Sequence, residues 1–246
     1  MHIFQRKKKH RSLHDYAQPD ELLPVTAGLP TRRRRLYVVE GLPGTGKSTA
    51  TKTLAAALMD RHRNVQFFDE GDPQHPADFE RYDFPDFATE REMILTKWRD
   101  FANAPTKHAT YVFNGVVLQN PVTEALMRFD VSEAECRDYV CEIADAIRPG
   151  NPLIIYLKTD DVRATLDHVS AERGDGWLQY VETYHTRNGY GLRNGLTGYD
   201  GYLACLEKRQ ETELKLLKYL GIDTVVLPEK PSREQLVALL DLPPRQ

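Results

Sequence analysis

The chain has 246 residues, a net charge of −3, 41% hydrophobic residues and three cysteines. That length can bury the core of one large α/β domain, and no apolar run approaches the roughly 18 residues that a membrane span needs. The cysteines show no CxxC or Cys/His spacing, which argues against a zinc site and for buried, reduced thiols in a cytoplasmic protein.

The charge is uneven along the chain. Residues 1–35 carry nine Lys and Arg against three Asp and Glu, whereas the rest is acidic. Residues 1–34 hold "RKKKHR" and "TRRR" but no sustained periodicity, so they are expected to form a solvated basic leader ahead of a domain over 35–246. No apolar segment follows the basic run, as a secretory signal would require. Contact of this arm with nucleic acid stays open as the alternative, although the acidic body argues against an extended nucleic-acid groove.

From Leu36 the pattern changes to "LYVVEGLPGTGKSTATKTLAAAL". "LYVVE" predicts a short buried strand, and Lys47 to about His62 a helix. Between them, Gly41-x-x-x-x-Gly46-Lys47-Ser48 is a complete phosphate-binding (Walker A) loop in its required strand–loop–helix setting. The glycines allow consecutive N–H groups to face a phosphate, and the helix start adds partial positive charge. Gly41, Gly44, Thr45, Gly46, Lys47, Ser48 and Thr49 are the expected nucleotide ligands. Lys47 would meet the β and γ phosphates, and Ser48 would meet Mg²⁺.

"NVQFF", "ATYVF", "PLIIYL" and "DTVVL" repeat the strand type, separated by helical stretches. Five strands alternating with helices predict a parallel sheet covered on both faces, a three-layer α/β sandwich. The second strand ends in Asp69-Glu70, at the carboxyl edge where ligands bind in open sheets. Asp69 is expected as metal or outer ligand and Glu70 as base, the assignment between them staying open. His75, Asp78 and Glu80 follow in a proline-shaped loop that could line an acceptor pocket. Asn114 and Gln119 after the third strand could hydrogen-bond an acceptor or act as structural caps.

Ser132-x-x-Glu135 and Ser232-x-x-Gln235 have the form of helix capping boxes, and Thr159 or Asp160 is expected to cap "VRATLDHVSAER". Leu206, Leu214, Leu217 and Leu220 are expected to face the core from a helix ended by Gly221. Residues 174–201, rich in Gly and Tyr, are expected to form a cover over the site. Arg173 and then Arg163 are the candidates for charge stabilisation.

"VVEGLPGTGKST" and "PLIIYLKTDDVRATLDHVSAER" resemble the thymidylate-kinase and deoxynucleoside-kinase branch of the P-loop kinases. "EGLPGTGKST…DEGDPQHPADFE…FNGVVLQNP" further resembles a bacterial group of P-loop proteins with no assigned substrate. The resemblance implies a central phosphate-loop strand, ATP and Mg²⁺ as cofactors, and γ-phosphoryl transfer to a small-molecule hydroxyl or phosphate. It also implies a Glu acting on the acceptor at the end of the second strand, where Glu70 stands. The chain departs from it after Phe113, where Asn114-Gly115-Val116 replaces an acid–Arg–Ser motif. A plain NTPase, and a nucleotide-binding regulatory or defence module with a basic arm, are the rival readings; a homodimer is compatible with either.

Overall fold

The computed structural model describes residues 34–61, 63–79, 82–103 and 109–241. Glu80 and nearly all of the basic leader lie outside them. Its last residue, Arg34, is buried: it donates to the Pro152 carbonyl at 3.0 Å and pairs with Asp223 at 2.7 Å. That arginine therefore locks the start of the domain to two strands.

All five expected strands are present: β1 (Leu36–Gly41), β2 (Val65–Phe68), β3 (Thr110–Asn114), β4 (Pro152–Lys158) and β5 (Asp223–Pro228). They form one sheet in the order β2-β3-β1-β4-β5, and every pairing is parallel. The phosphate-loop strand is central, as expected. Strands buried on both faces need continuous apolar runs, and alternate residues serve opposite layers. Leu36, Val38, Phe113, Ile154 and Tyr156 face α2 (Phe87–Asn103) and α4 (Glu133–Ile147). Tyr37, Val39, Val112, Ile155 and Leu157 face α1 (Lys47–Asp60) and α9 (Arg233–Ala238).

A short helix α3 (Gln119–Val122) continues into a π-helical turn, Thr123–Arg128. Beyond β4 come α5 (Val162–Arg173), α6 (Asp175–Thr186), α7 (Gly189–Arg193) and α8 (Gly198–Leu216). The Gly/Tyr-rich stretch is thus largely helical. Helix ends follow local chemistry. Ser132 caps α4, and Ser232 with Gln235 forms a reciprocal capping box on α9. Helix α5 is capped by Asp161, one residue beyond the expected pair, its carboxylate accepting from Ala164 N at 2.9 Å. Helix α8 stops at Leu216, before the left-handed Gly221. Among the described residues no helix is long and apolar enough to cross a membrane.

Phe113 is fully buried and its ring meets those of Phe68, Trp98 and Phe101 within 6.0 Å. Phe113→Ala should lower unfolding free energy by about 3–5 kcal/mol, the cost of an aromatic-sized cavity. Urea denaturation measures it, and a loss under about 1 kcal/mol would mean that this cluster does not carry the sheet.

Candidate functional site

The phosphate loop closes on its own backbone. Gly41 has φ 140°, and a Cβ there would lie 2.5 Å from the Leu157 carbonyl oxygen on β4, so only glycine fits. The Thr45 hydroxyl donates to the Leu42 carbonyl at 2.8 Å, and Lys230 N donates to the Thr45 carbonyl at 2.8 Å. Gly44 packs against Thr165 and Val169 of α5. Gly46 is the N-cap of α1, with no side chain to cap it and no acid in the first turn. The first N–H groups of α1 are therefore left to an external anion.

Lys47 lies beneath the loop and donates to the Leu42 carbonyl at 3.0 Å. Burial depresses its ammonium to about 8, opposed by the negative charge of Glu70. Thr49 is exposed on the first turn of α1.

Three chain segments meet at the acidic edge. Ser48 Oγ donates to Asp69 Oδ1 at 3.3 Å, and Asn114 Nδ2 donates to the same carboxylate oxygen at 2.6 Å and to Ser48 Oγ at 3.1 Å. Asp69 thus reaches the loop serine from the end of β2, and Asn114 joins both from the end of β3. Glu70 is exposed and accepts from Gln119 Nε2 at 2.6 Å. The polar chain continues through Asn120 to Asp78, with donor–acceptor distances of 3.4 and 3.5 Å. Asn114 Oδ1 and Gln119 Oε1 are buried without a hydrogen-bond partner.

Ser48 Oγ and the Asp69 carboxylate are hard oxygen donors of the kind magnesium takes, whereas Asn114 turns its amide N–H groups, not its Oδ1, towards both. Among the described residues no group of three or more His, Cys, Asp or Glu is placed to hold a metal by itself. Phosphate oxygens would complete the coordination, as is usual for magnesium at phosphate sites.

Behind the loop lies a buried charged layer. Glu40 is wholly buried and accepts from the backbone N–H of Val117 at 2.7 Å, Leu118 at 3.0 Å and Gln119 at 3.0 Å. Burial pushes its carboxyl up to about 7, against the lowering effect of those donors. Arg209 and Glu213 on α8 are also buried, at 3% and 0% exposure. Tyr156 donates to Glu213 at 2.6 Å, and Arg209 Nη1 donates to Thr123 Oγ1 at 3.1 Å. Sequence reasoning missed this pair. The available signal was spacing: Tyr202, Leu206, Arg209, Glu213 and Leu216 share one helical stripe, all buried.

The other candidates are more dispersed. Arg173 is exposed, 4.9 Å over the Trp177 ring. Arg163 pairs with Asp200 at 2.7 Å and lies over Tyr199. Both are thus engaged on the α5–α6–α8 side rather than with loop side chains. His75 is buried between Phe68 and Phe113, its Nδ1 accepting from Ala77 N at 3.0 Å. Burial lowers its pKa to about 4, so it is a neutral packing residue and not part of a solvent-facing pocket wall. Tyr184 donates to Glu124 on the π-helical turn.

The sheet order and the glycine loop after its central strand define an α/β fold of the P-loop NTPase type. No protein-family model matches the chain, and no curated protein matches it in sequence. Among solved structures, YorR of Bacillus subtilis, crystallised in complex with phosphorylated GDP, is similar over 83% of this chain and 92% of its own, with 14% identity and a TM-score of 0.47. APE1195 is similar over 85% of this chain and 93% of its own, with 16% identity and a TM-score of 0.41. Both likenesses are distant.

Glu40→Gln should lower stability by about 1–3 kcal/mol, because an amide puts a donor against one of three buried N–H groups. Denaturant unfolding checks it; a variant as stable as the parent would remove Glu40 as the anchor of the turn after β3.

Proposed function

We propose that the protein binds ATP with magnesium and transfers the γ-phosphoryl group to a hydroxyl of a small molecule. The observation that carries this reading is the pair of adjacent carboxylates at the end of β2. Asp69 is tied to the loop serine, and Glu70 is held by Gln119 at the open edge. One acid thus belongs to the donor side, and its neighbour is free to receive a proton.

When bound, magnesium-ATP supplies the activated phosphoryl group. The loop N–H groups and Lys47 would hold the phosphates, and Ser48 and Asp69 would hold the metal. Glu70 orients the acceptor hydroxyl and takes its proton as oxygen bonds to phosphorus. The bond from phosphorus to the bridging oxygen breaks, and its electron pair leaves with ADP. Arg173 and Arg163 remain candidates for closing over the donor, through movement of α5 and α6. A hydroxyl acceptor is favoured over a phosphate because Asp69, Glu70 and Asp78 crowd this edge, and carboxylates repel a phosphate monoester.

An ADP-release screen of nucleosides, sugars and amino alcohols tests the reading, with Lys47→Ala as blank. A hydroxyl compound should raise turnover at least about tenfold above that blank; release that no acceptor changes would indicate a plain NTPase and sink the transfer reading. Glu70→Gln should cut transfer by about 10²–10⁴-fold with nucleotide affinity kept. Transfer at the parent rate would remove Glu70 as base.

Nucleotide affinity should also respond to pH through Lys47, whose ammonium is needed to hold phosphate and titrates near about 8. Below that value the free protein already carries the charge, so affinity is level. Above it a proton must be taken up on binding, and affinity should fall by at most about tenfold per pH unit. Binding titrations across this range check it, and no proton uptake on the alkaline side would contradict the assignment.

A further inference from the structure

We propose that Arg209 supplies a second positive charge, beside Lys47, to the γ-phosphoryl group at the loop. The inference rests on the nucleotide-binding reading above and adds a residue to it. Arg209 comes from α8, far in sequence from the loop, yet its Nη2 lies 3.5 Å from the Gly41 carbonyl at the loop's first residue. Its Nη1 reaches Thr123, four residues beyond Gln119, which holds Glu70. The guanidinium therefore spans the donor loop and the turn that bounds the acceptor side. It is also near enough to Lys47 for its charge to help lower that ammonium's pKa.

Three observations separate this arginine from a structural ion pair. First, it is 3% exposed, and a buried guanidinium is costly unless its donors are used. Second, its donors are under-used. Nε lies 3.1 Å from Glu213 Oε1, yet neither atom makes an aligned hydrogen bond. The bond to Gly41 is long, and a guanidinium has five N–H groups to place. Third, the transferring group needs charge on its equatorial oxygens, and Asn114-Gly115-Val116 at the end of β3 offers no cation. Arg209 is already inside, where low dielectric strengthens its effect.

The test compares affinities for ADP and for a non-hydrolysable ATP analogue, both with magnesium, so that no acceptor is needed. Arg209→Met alone would strand Glu213 as an unpaired buried charge. The informative variant is therefore Arg209→Met with Glu213→Gln, in which Tyr156 keeps an acceptor. It should bind the ATP analogue about tenfold more weakly, about 1.4 kcal/mol, with ADP affinity within about twofold of the parent. Arg209→Lys should retain part of the preference, since it keeps charge but loses the fork. A double variant with the parent's preference for the triphosphate overturns the assignment. If Lys47→Ala then abolishes binding, the nucleotide reading survives that result. A parent protein that binds neither nucleotide overturns both.

Discussion

The carboxylate of Glu40 is the contact on which the site is assembled. It stands one residue before the end of the central strand, beside Tyr156 of β4, and is wholly buried. Three successive N–H groups of the turn after β3 point at it. Backbone donors at such a turn must be satisfied when buried, and a carboxylate can accept all three. The turn is thereby fixed, and with it Gln119, whose side-chain amide reaches Glu70. The last side chain of β1 before the phosphate loop thus helps to set where Glu70 stands.

That anchor belongs to a balanced set of buried charges: Glu40 and Glu213 against Lys47 and Arg209. Two opposite charges about 4 Å apart interact by roughly 4 kcal/mol at an effective dielectric of 20, comparable to the several kcal/mol of desolvation per ion. Near balance is the useful regime. Burial moves Glu40 up to about 7 and Lys47 down to about 8, each towards neutrality. A phosphate arriving at the loop would add negative charge beside the ammonium and so favour its protonated form. The Thr123 and Gly41 bonds of Arg209 can then be exchanged for stronger charge-assisted ones.

The strands and the phosphate loop were legible because each is written locally. "LYVVE", "ATYVF" and "PLIIYL" are apolar without interruption because parallel strands are covered on both faces. The stretch 174–201 was not legible as helix, because its glycines read as loop. Gly191 is there for close approach: a Cβ would lie 2.0 Å from the His185 carbonyl oxygen, so α7 can lie against the end of α6 only with glycine. Arg209 and Glu213 were hidden by composition, since a charged i,i+4 pair on a polar-looking helix ordinarily faces solvent. Asp69 and Glu70 were identified as a pair from their place at a strand end. Their different partners, Ser48 and Asn114 for Asp69 and Gln119 for Glu70, are brought together only by the fold.

This difference in sequence locality bears on the chemistry itself. The donor side is made by nine consecutive residues, largely through backbone groups, and so it can be named from sequence. In the proposed reaction the acceptor would meet side chains from the end of β2, the Asp78 loop, the turn after β3 and the π-helical turn. Its charge is informative. Lys97 donates to the Asp78 carbonyl and lies 3.7 Å from the Phe79 ring centroid. Arg128 is shared among Glu124, Asp83 and the Phe84 carbonyl. These cations are engaged, Arg128 by the carboxylate of Glu124 itself, whereas Glu70 and Asp78 accept from amide and backbone N–H groups. An anionic acceptor would have to break existing pairs before gaining any, while a neutral polyol or an amine-bearing alcohol could donate to oxygens already in position. On the proposed phosphotransfer, the carboxylates of this edge would therefore favour a hydrogen-bond-donating hydroxyl compound over an anionic one.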